Sequence, residues 1–282
     1  MFLIVHFFFI SCATLSPVEE PEGQTVFAIP DEVFPRWSAL SSGLDYFAGK
    51  VSRPRIGFYA LRVDLASPDL RIAAAPGASD KDGKTVSTRV SSFVRDKGLL
   101  AGINALPFDP VSAVEGEPRT NVGIVIADGF LFAPPHNSFD ALVFYTDGNA
   151  AIVAQSDIKN FDNIENAVGG FYRILENGEL APRVINSGDR HPRSAAGISP
   201  DGKFLYLLVI DGRQINSIGA TEAETALLLR ALGATEGINF DGGGSSALAL
   251  RYPDGKVRAV NTPIHGLIPG RERAVAGCLG VR

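Results

Sequence analysis

The stretch "INFDGGGSSAL" places one carboxylate, Asp241, at the end of a short apolar run and follows it with Gly242, Gly243, Gly244 and the hydroxyl of Ser245. Glycines adopt backbone angles closed to other residues, so their N–H groups can approach a ligand with no side chain in between. Successive N–H groups of this kind form a concavity suited to phosphate or carboxylate. A nucleotide-binding loop carries a Lys after its glycines, and none stands here, so the pattern does not describe nucleotide hydrolysis. A tight strand-to-strand turn is the plain alternative, because apolar runs on both sides leave no room for a slack linker.

Two further segments hold groups of matching chemistry. In "RHPRSAAGIS", Pro192 keeps the residue before it extended, and the small side chains of Ser194, Ala195 and Ala196 let Arg193 reach past them. A guanidinium fork suits phosphate through paired hydrogen bonds, although an Arg in such a place also bridges surface loops. "VIDGRQ" sets Asp211 and Arg213 after another apolar run, with the same ambiguity, since Asp-Gly is a common turn. Asp189, His191, Asp211 and Asp241 are of the types that ligate divalent cations. No spacing such as HExxH singles out a metal, so no cofactor is assigned and chelator sensitivity decides the point.

The elements around these residues have to bring them together. "FLYLLVI" precedes Asp211 and "GINF" precedes Asp241; between them Thr221 and Glu224 form a capping box, Leu227, Leu228, Ala231 and Leu232 follow, and Gly233 closes the helix. Strand, helix, strand at this length predicts a crossover joining parallel strands. Both strands then end on one edge of the sheet, where clefts of open sheets form. Neighbouring strands bring Asp211 and Asp241 together; a third strand between them moves the carboxylates roughly 5 Å further apart.

Elsewhere strands dominate. "RIGFYALRVDL" with "LRIAAAP", "NVGIVIADG" with "FLFAPP", "ALVFYTDG" with "NAAIVA", and "SSALALRYPDG" with "KVRAV" read as hairpins. Val86, Val90, Phe93 and Val94 fall at helical spacing in a segment that stops at Gly98. The predicted fold class is therefore α+β: mixed, mostly antiparallel sheets with a few helices and one strand-helix-strand crossover carrying the site.

The net charge of -5, with Lys and Arg scattered rather than striped, excludes the electrostatic footprint of a nucleic-acid binder. From Phe27 to Arg282 no repeat or low-complexity break appears, which predicts one domain over residues 27–282. The opening "MFLIVHFFFISCATLSP" holds an apolar run well short of the roughly 18 residues that span a bilayer, so residues 1–12 read as an export signal. Cys12 stands where a bacterial lipoprotein carries its lipid, although no Lys or Arg precedes the run; a buried first strand is the alternative. Residues 13–26, rich in Pro and Glu, read as an extended tether. The expected location is outside the cytoplasm, on a bacterial membrane through the lipid, facing the periplasm or the cell surface. Cys278 then stands alone as a small buried residue of the last strand, and a Cys12–Cys278 disulfide is the competing reading.

Taken in order, "RHPRSAAGIS", "LYLLVIDGR", "LLLRALGA", "INFDGGGSSAL", "VNTP" and "RERAVAGCLGVR" resemble the phosphodiester glycosidase domain family over roughly residues 56–282. "LLAGINALPF" resembles an upstream segment of that family at Asn104 and Phe108, and departs from it at Ala105, Leu106 and Pro107. The resemblance implies cleavage between a sugar's anomeric carbon and a phosphodiester oxygen. Arg193, Arg213 and the N–H groups of Gly242, Gly243 and Gly244 would then hold phosphate, with Asp241 as nucleophile or base and Asp211 as its partner or a turn acid. Ser245 and Asn104 would orient sugar or nucleophile, and His191 would shuttle a proton. Carboxyl groups about 5 Å apart suit a retaining route, and about 6.5 to 9.5 Å an inverting one. The partner is a sugar phosphodiester or another anionic glycan. A different class of function fits the same arginines and glycines: a membrane-anchored lipoprotein that binds phosphorylated glycans without cleaving them.

Overall fold

The computed structural model describes residue 33 and residues 35–76, 84–185 and 188–282. The expected signal at 1–12, lipidated Cys12 and tether at 13–26 lie outside the described residues. Among the described residues no helix is long and apolar enough to cross a membrane.

Alternation of side chains along the strands builds the core. In the strand Phe204–Ile210, Leu205, Leu207 and Val209 face one way and Tyr206, Leu208 and Ile210 the other, and all six are buried. A strand covered on both faces is a continuous apolar run, which is how "FLYLLVI" reads. Its sheet has eight strands in the order Ser38–Ser41, Leu44–Val51, Ile56–Asp64, Phe204–Ile210, Arg193–Ile198, Glu236–Asn239, Tyr172–Glu176, Glu179–Leu180. One face meets a five-stranded sheet ordered Val257–Ala259, Leu248–Arg251, Ala101–Asn104, Gly277–Val281, Ile72–Pro76, and also a second five-stranded sheet that contains Val125–Ala127 and Asp140–Tyr145. Leu207 and Ile238 from the first sheet, Ile103 and Leu279 from the second and Leu142 and Val168 from the third share this core.

The other face of the eight-stranded sheet is covered by helix α2, Glu222–Leu232, through Leu228, Leu229 and Leu232. Both halves of its predicted capping box are present: the Thr221 hydroxyl accepts from the Glu224 N–H, and the Glu224 carboxylate accepts from the Thr221 N–H. Gly233 ends the helix at φ 114, which suits glycine. The buried face runs through Thr225, Leu228, Leu229 and Leu232, so Leu227 and Ala231 lie beside it rather than at its centre. Helix α1, Val90–Asp96, covers the outer face of the second sheet with Val90, Phe93 and Val94. Cys278, in the last strand, is a fully buried free thiol.

The crossover takes the wider of the two predicted forms. Phe204–Ile210 and Glu236–Asn239 both pair antiparallel with Arg193–Ile198, which lies between them, so they run parallel to each other one strand apart. The intervening strand runs the opposite way and therefore starts where its neighbours end. Arg193 lies opposite Ile210, and Ala195 opposite Asn239. Topology thus brings Arg193, Asp211 and Asp241 to one rim. One predicted hairpin is not formed: Ile56–Asp64 and Ile72–Pro76 belong to different sheets, because Ile72–Pro76 pairs with the C-terminal strand. The other three hairpins are present.

Candidate active site

At the end of Glu236–Asn239 the chain passes from one sheet to another. The Phe240 N–H still donates to Ser194 (2.9 Å) in the first sheet, whereas the Asp241 N–H donates to Ala105 (2.8 Å), just past the end of a second-sheet strand. Asn104 fixes this transfer from behind. Its fully buried side-chain amide donates to the Asp241 carbonyl (2.6 Å) and accepts from the Ser194 hydroxyl (2.7 Å) and the Ala247 N–H (3.1 Å). Asn104 therefore acts on the site through main chain on both sides of the glycine turn.

The glycines work differently from the expected row of free N–H groups. The Gly243 N–H donates to the Pro192 carbonyl (2.8 Å), and the Gly242 and Gly243 carbonyls accept from Ser245 (3.2 Å) and Ser246 (3.3 Å). The Gly242 N–H serves the Asp241 carboxyl. The anion-cradle expectation is thus corrected for Gly243, since a buried tight turn has to satisfy its own polar groups first. What the glycines supply is space. A Cβ on Gly242 would lie 2.8 Å from the Pro192 oxygen, one on Gly243 3.2 Å from Arg213 Nη2, and one on Gly244 2.5 Å from Arg273 Nη2. Gly243 also sits at φ 61, where other side chains are strained.

Two guanidinium groups therefore lie against bare backbone, and the third, Arg193, stands next to them. Arg193 is held at the start of α2, donating to the Ala220 carbonyl (3.1 Å), the Asp189 carbonyl (3.0 Å) and the Glu222 carboxylate (3.3 Å). Glu222 also accepts from the Tyr172 hydroxyl, whose pKa is pushed up to about 12 by burial and then by Glu222. Arg213 and Arg273 have no carboxylate within 4 Å among the described residues. Arg213, at φ 58, is exposed and approaches His191 Nδ1 at 3.4 Å. Burial, followed by the positive charges of Arg193 and Arg213, holds the His191 pKa below its usual value. Arg273 donates to His265 Nδ1 (3.0 Å) and to the Ser245 hydroxyl (3.1 Å).

Asp241 sits in the middle of this group. Burial raises its pKa to about 6, against the opposing effects of the Ser245 hydroxyl, the Arg273 charge and the Gly242 N–H. Ser245 accordingly bridges Arg273 and Asp241 with its one oxygen. Asp211 is placed otherwise. It accepts from Asn261 (3.2 Å) and from the Thr262 N–H (2.9 Å), and its carbonyl accepts from the Ser217 hydroxyl (2.6 Å). Burial raises its pKa as well, against the hydrogen bonds from Thr262, Asn261 and Tyr59. Asn261 also donates to the Ser246 carbonyl (3.1 Å), so Asp211 ties the "VNTP" segment to the back of the glycine turn.

The sequence reading missed Arg273. It lies in "RERAV", inside the C-terminal segment that carries the family resemblance, but 32 positions from Asp241 and with no local motif to mark it. His265, its partner, was missed for the same reason. The four residues considered as metal ligands do not assemble: among the described residues no three His, Cys, Asp or Glu side chains gather to hold an ion. A separate cleft of about 180 Å³, lined by residues including Leu65, Arg71, Tyr145 and Glu165, contains none of the motif residues.

A family model described as phosphodiester glycosidase matches residues 97–282. An uncharacterized SPbeta prophage-derived protein of Bacillus subtilis, YomE, is 27% identical over 211 residues; the match takes in 71% of this chain and 30% of that protein's length. Two solved structures share the fold. The catalytic domain of zebrafish N-acetylglucosamine-1-phosphodiester alpha-N-acetylglucosaminidase, auto-inhibited by its pro-peptide, aligns with TM-score 0.64 at 19% identity over 87% of this chain and 85% of that one. A hypothetical protein from Synechocystis aligns with TM-score 0.66 at 14% identity over 88% and 63%. With the family model covering about two thirds of its residues, the chain belongs to the phosphodiester glycosidase family.

Proposed function

We propose that the protein hydrolyses the bond between a sugar's anomeric carbon and a phosphodiester oxygen. The observation that carries this reading is the surroundings of Asp241: a carboxyl whose pKa burial raises to about 6, joined through Ser245 to Arg273, with Arg213 against the same glycine turn and, among the described residues, no carboxylate within 4 Å of either guanidinium. Two guanidiniums at a rim with no direct ion pair among the described residues favour an anionic substrate, and a phosphodiester presents two oxygens to a guanidinium fork.

In this reading Arg213 and Arg273 hold the phosphate, with Arg193 adding its charge from the start of α2. As the bond between the anomeric carbon and oxygen breaks, the electron pair stays on the phosphate, which leaves as a stabilised anion. Fixed donors aimed at developing charge supply a large part of catalysis, about 3 to 4 kcal/mol for one well-placed group. Asp241, mostly ionised at neutral pH, takes the proton of the water that attacks the anomeric carbon, or attacks that carbon itself to form a glycosyl ester that water then hydrolyses. The products are the free sugar and a phosphomonoester.

The sugar named in the zebrafish relative, N-acetylglucosamine, is the first to assay. Purified protein is offered alkyl esters of N-acetylglucosamine 1-phosphate and glucose 1-phosphate, with and without chelator, and release of reducing sugar is followed. Turnover that disappears in Asp241→Asn supports the reading. A variant that is folded and fully active removes it. We propose in addition that residues 1–12 direct export and that Cys12 carries lipid, which radiolabelled palmitate incorporation into wild type but not Cys12→Ser would support.

A further inference from the structure

Two loops frame the glycine turn, and both expose large aliphatic side chains. Residues 213–218 follow Asp211 and place Ile215 at 84% and Ile218 at 38% exposure; residues 264–268 precede Arg273 and place Leu267 at 69% and Ile268 at 50%. Single exposed aliphatics are common on protein surfaces; here four stand on two loops that both border the glycine turn.

The loops are tied to the site and to each other. The turn His265–Leu267 packs on Gly243–Ser245, and Arg213 lies against Gly243. Gln214 Nε2 donates to the Thr262 carbonyl (2.9 Å), joining the two segments. Each loop is closed by its own main-chain bonds: Gln214 and Ser217 exchange theirs at 3.0 and 3.2 Å, and Gly270 donates to Pro263 at 2.7 Å. The aliphatic side chains are thus presented on fixed backbone. Leu267 sits at φ 61, a conformation better suited to Gly or Asn, so a bulky apolar group stands at an unfavourable position.

We propose that these loops form the aglycone subsite and that the substrate is a sugar joined through its phosphodiester to an aliphatic chain. The inference rests on the phosphodiester glycosidase reading of the same site. Arg213 and Arg273 take the phosphate, and the exposed aliphatic side chains of the two loops offer nothing to a sugar hydroxyl but do shed water against methylenes. An aglycone made of further sugars would leave these side chains exposed.

The test is a chain-length series: methyl, butyl and octyl esters of one sugar 1-phosphate that the wild type cleaves, all below their micelle threshold. Burying a methylene completely raises affinity about fourfold, so half burial predicts about twofold in kcat/KM per methylene and roughly sixteenfold between butyl and octyl. In the double variant Ile215→Ser, Leu267→Asn the octyl-to-methyl ratio falls towards one; Asn tolerates the backbone angle that Leu267 adopts. A wild-type series that is flat, with the methyl ester cleaved, overturns the aliphatic subsite alone. A steep series left unchanged in the double variant overturns its placement on these loops. No cleavage of any ester by the wild type sinks the glycosidase reading, and this inference with it.

Discussion

The strand ends at Asp211 and at Asp241 look alike in sequence and differ in chemistry. Each follows a buried apolar strand and precedes a glycine, and the two strands run parallel to the same rim. At Asp211 the distant segment around Asn261 folds over the strand end, so that the Thr262 N–H and the Asn261 amide occupy the carboxylate, while Ser217 of the following loop donates to the Asp211 carbonyl. At Asp241 the chain changes sheets, and the groups acting on the carboxyl are a hydroxyl shared with Arg273, one glycine N–H and the charge of Arg273, which has no carboxylate within 4 Å among the described residues. An acid saturated by the fold builds structure, whereas one that burial keeps near pKa 6 can exchange protons at neutral pH.

The largest contrast is expected in activity. Asp241→Asn lowers kcat/KM on a sugar 1-phosphodiester by about a thousandfold or more, within the range for a lost general base. Asp211→Asn retains activity within about tenfold per folded molecule but loses stability, by about 1 to 3 kcal/mol, because the donors of Thr262, Asn261 and Tyr59 lose a charged acceptor and gain a neutral amide. Parallel kinetics and denaturant melts check both, and equal kinetic losses would abolish the distinction.

Arg273→Ala comes next, with about a hundredfold loss on phosphodiesters and a much smaller loss on neutral aryl glycosides. Gly244→Ala tests whether the glycines serve to admit arginines. The backbone there accepts alanine, yet the new methyl would lie 2.5 Å from Arg273 Nη2, so the guanidinium shifts and activity drops roughly tenfold while the fold persists. Full activity in Gly244→Ala would return the glycines to an ordinary turn.

The smallest effect is on stability. Folding raises the Asp241 pKa from 3.8 to about 6, so the folded chain binds more protons than the unfolded chain between those values. The cost of the buried charge is then full above pH 6 and disappears as pH falls below about 4. Asp241→Asn therefore raises the melting temperature at pH 7.5 by a few degrees, and the gain vanishes near pH 4. A gain that is the same at both pH values would place its cause elsewhere.

Much of this was legible in the sequence because its physics is local. The capping box at Thr221 and Glu224, the αL glycine at 233 and the alternation in "FLYLLVI" each show within a few residues. The meeting of Asp211 and Asp241 on one rim follows from the crossover rule, whereas Arg193 joins them because Arg193–Ile198 lies between the two parallel strands, which only pairing across the sheet shows. Arg273 and the ties of Asp211 to Asn261 and Thr262 were not legible, because they join segments 32 and about 50 positions apart that no periodicity links. The glycines show in the sequence their conformational freedom and lack of a side chain, but not that the Gly243 N–H serves Pro192 rather than a ligand.

The most direct test is a carbon-13 NMR titration of the aspartate carboxyls in the full chain, with Asp241 assigned by the loss of its signal in Asp241→Asn. Proximity of Arg273 and burial pull in opposite directions, and burial is expected to win. A midpoint near 6 for Asp241 is the predicted result. A midpoint in the ordinary range around 4 would mean that the cations dominate and that Asp241 has no special reactivity at neutral pH, which contradicts the account.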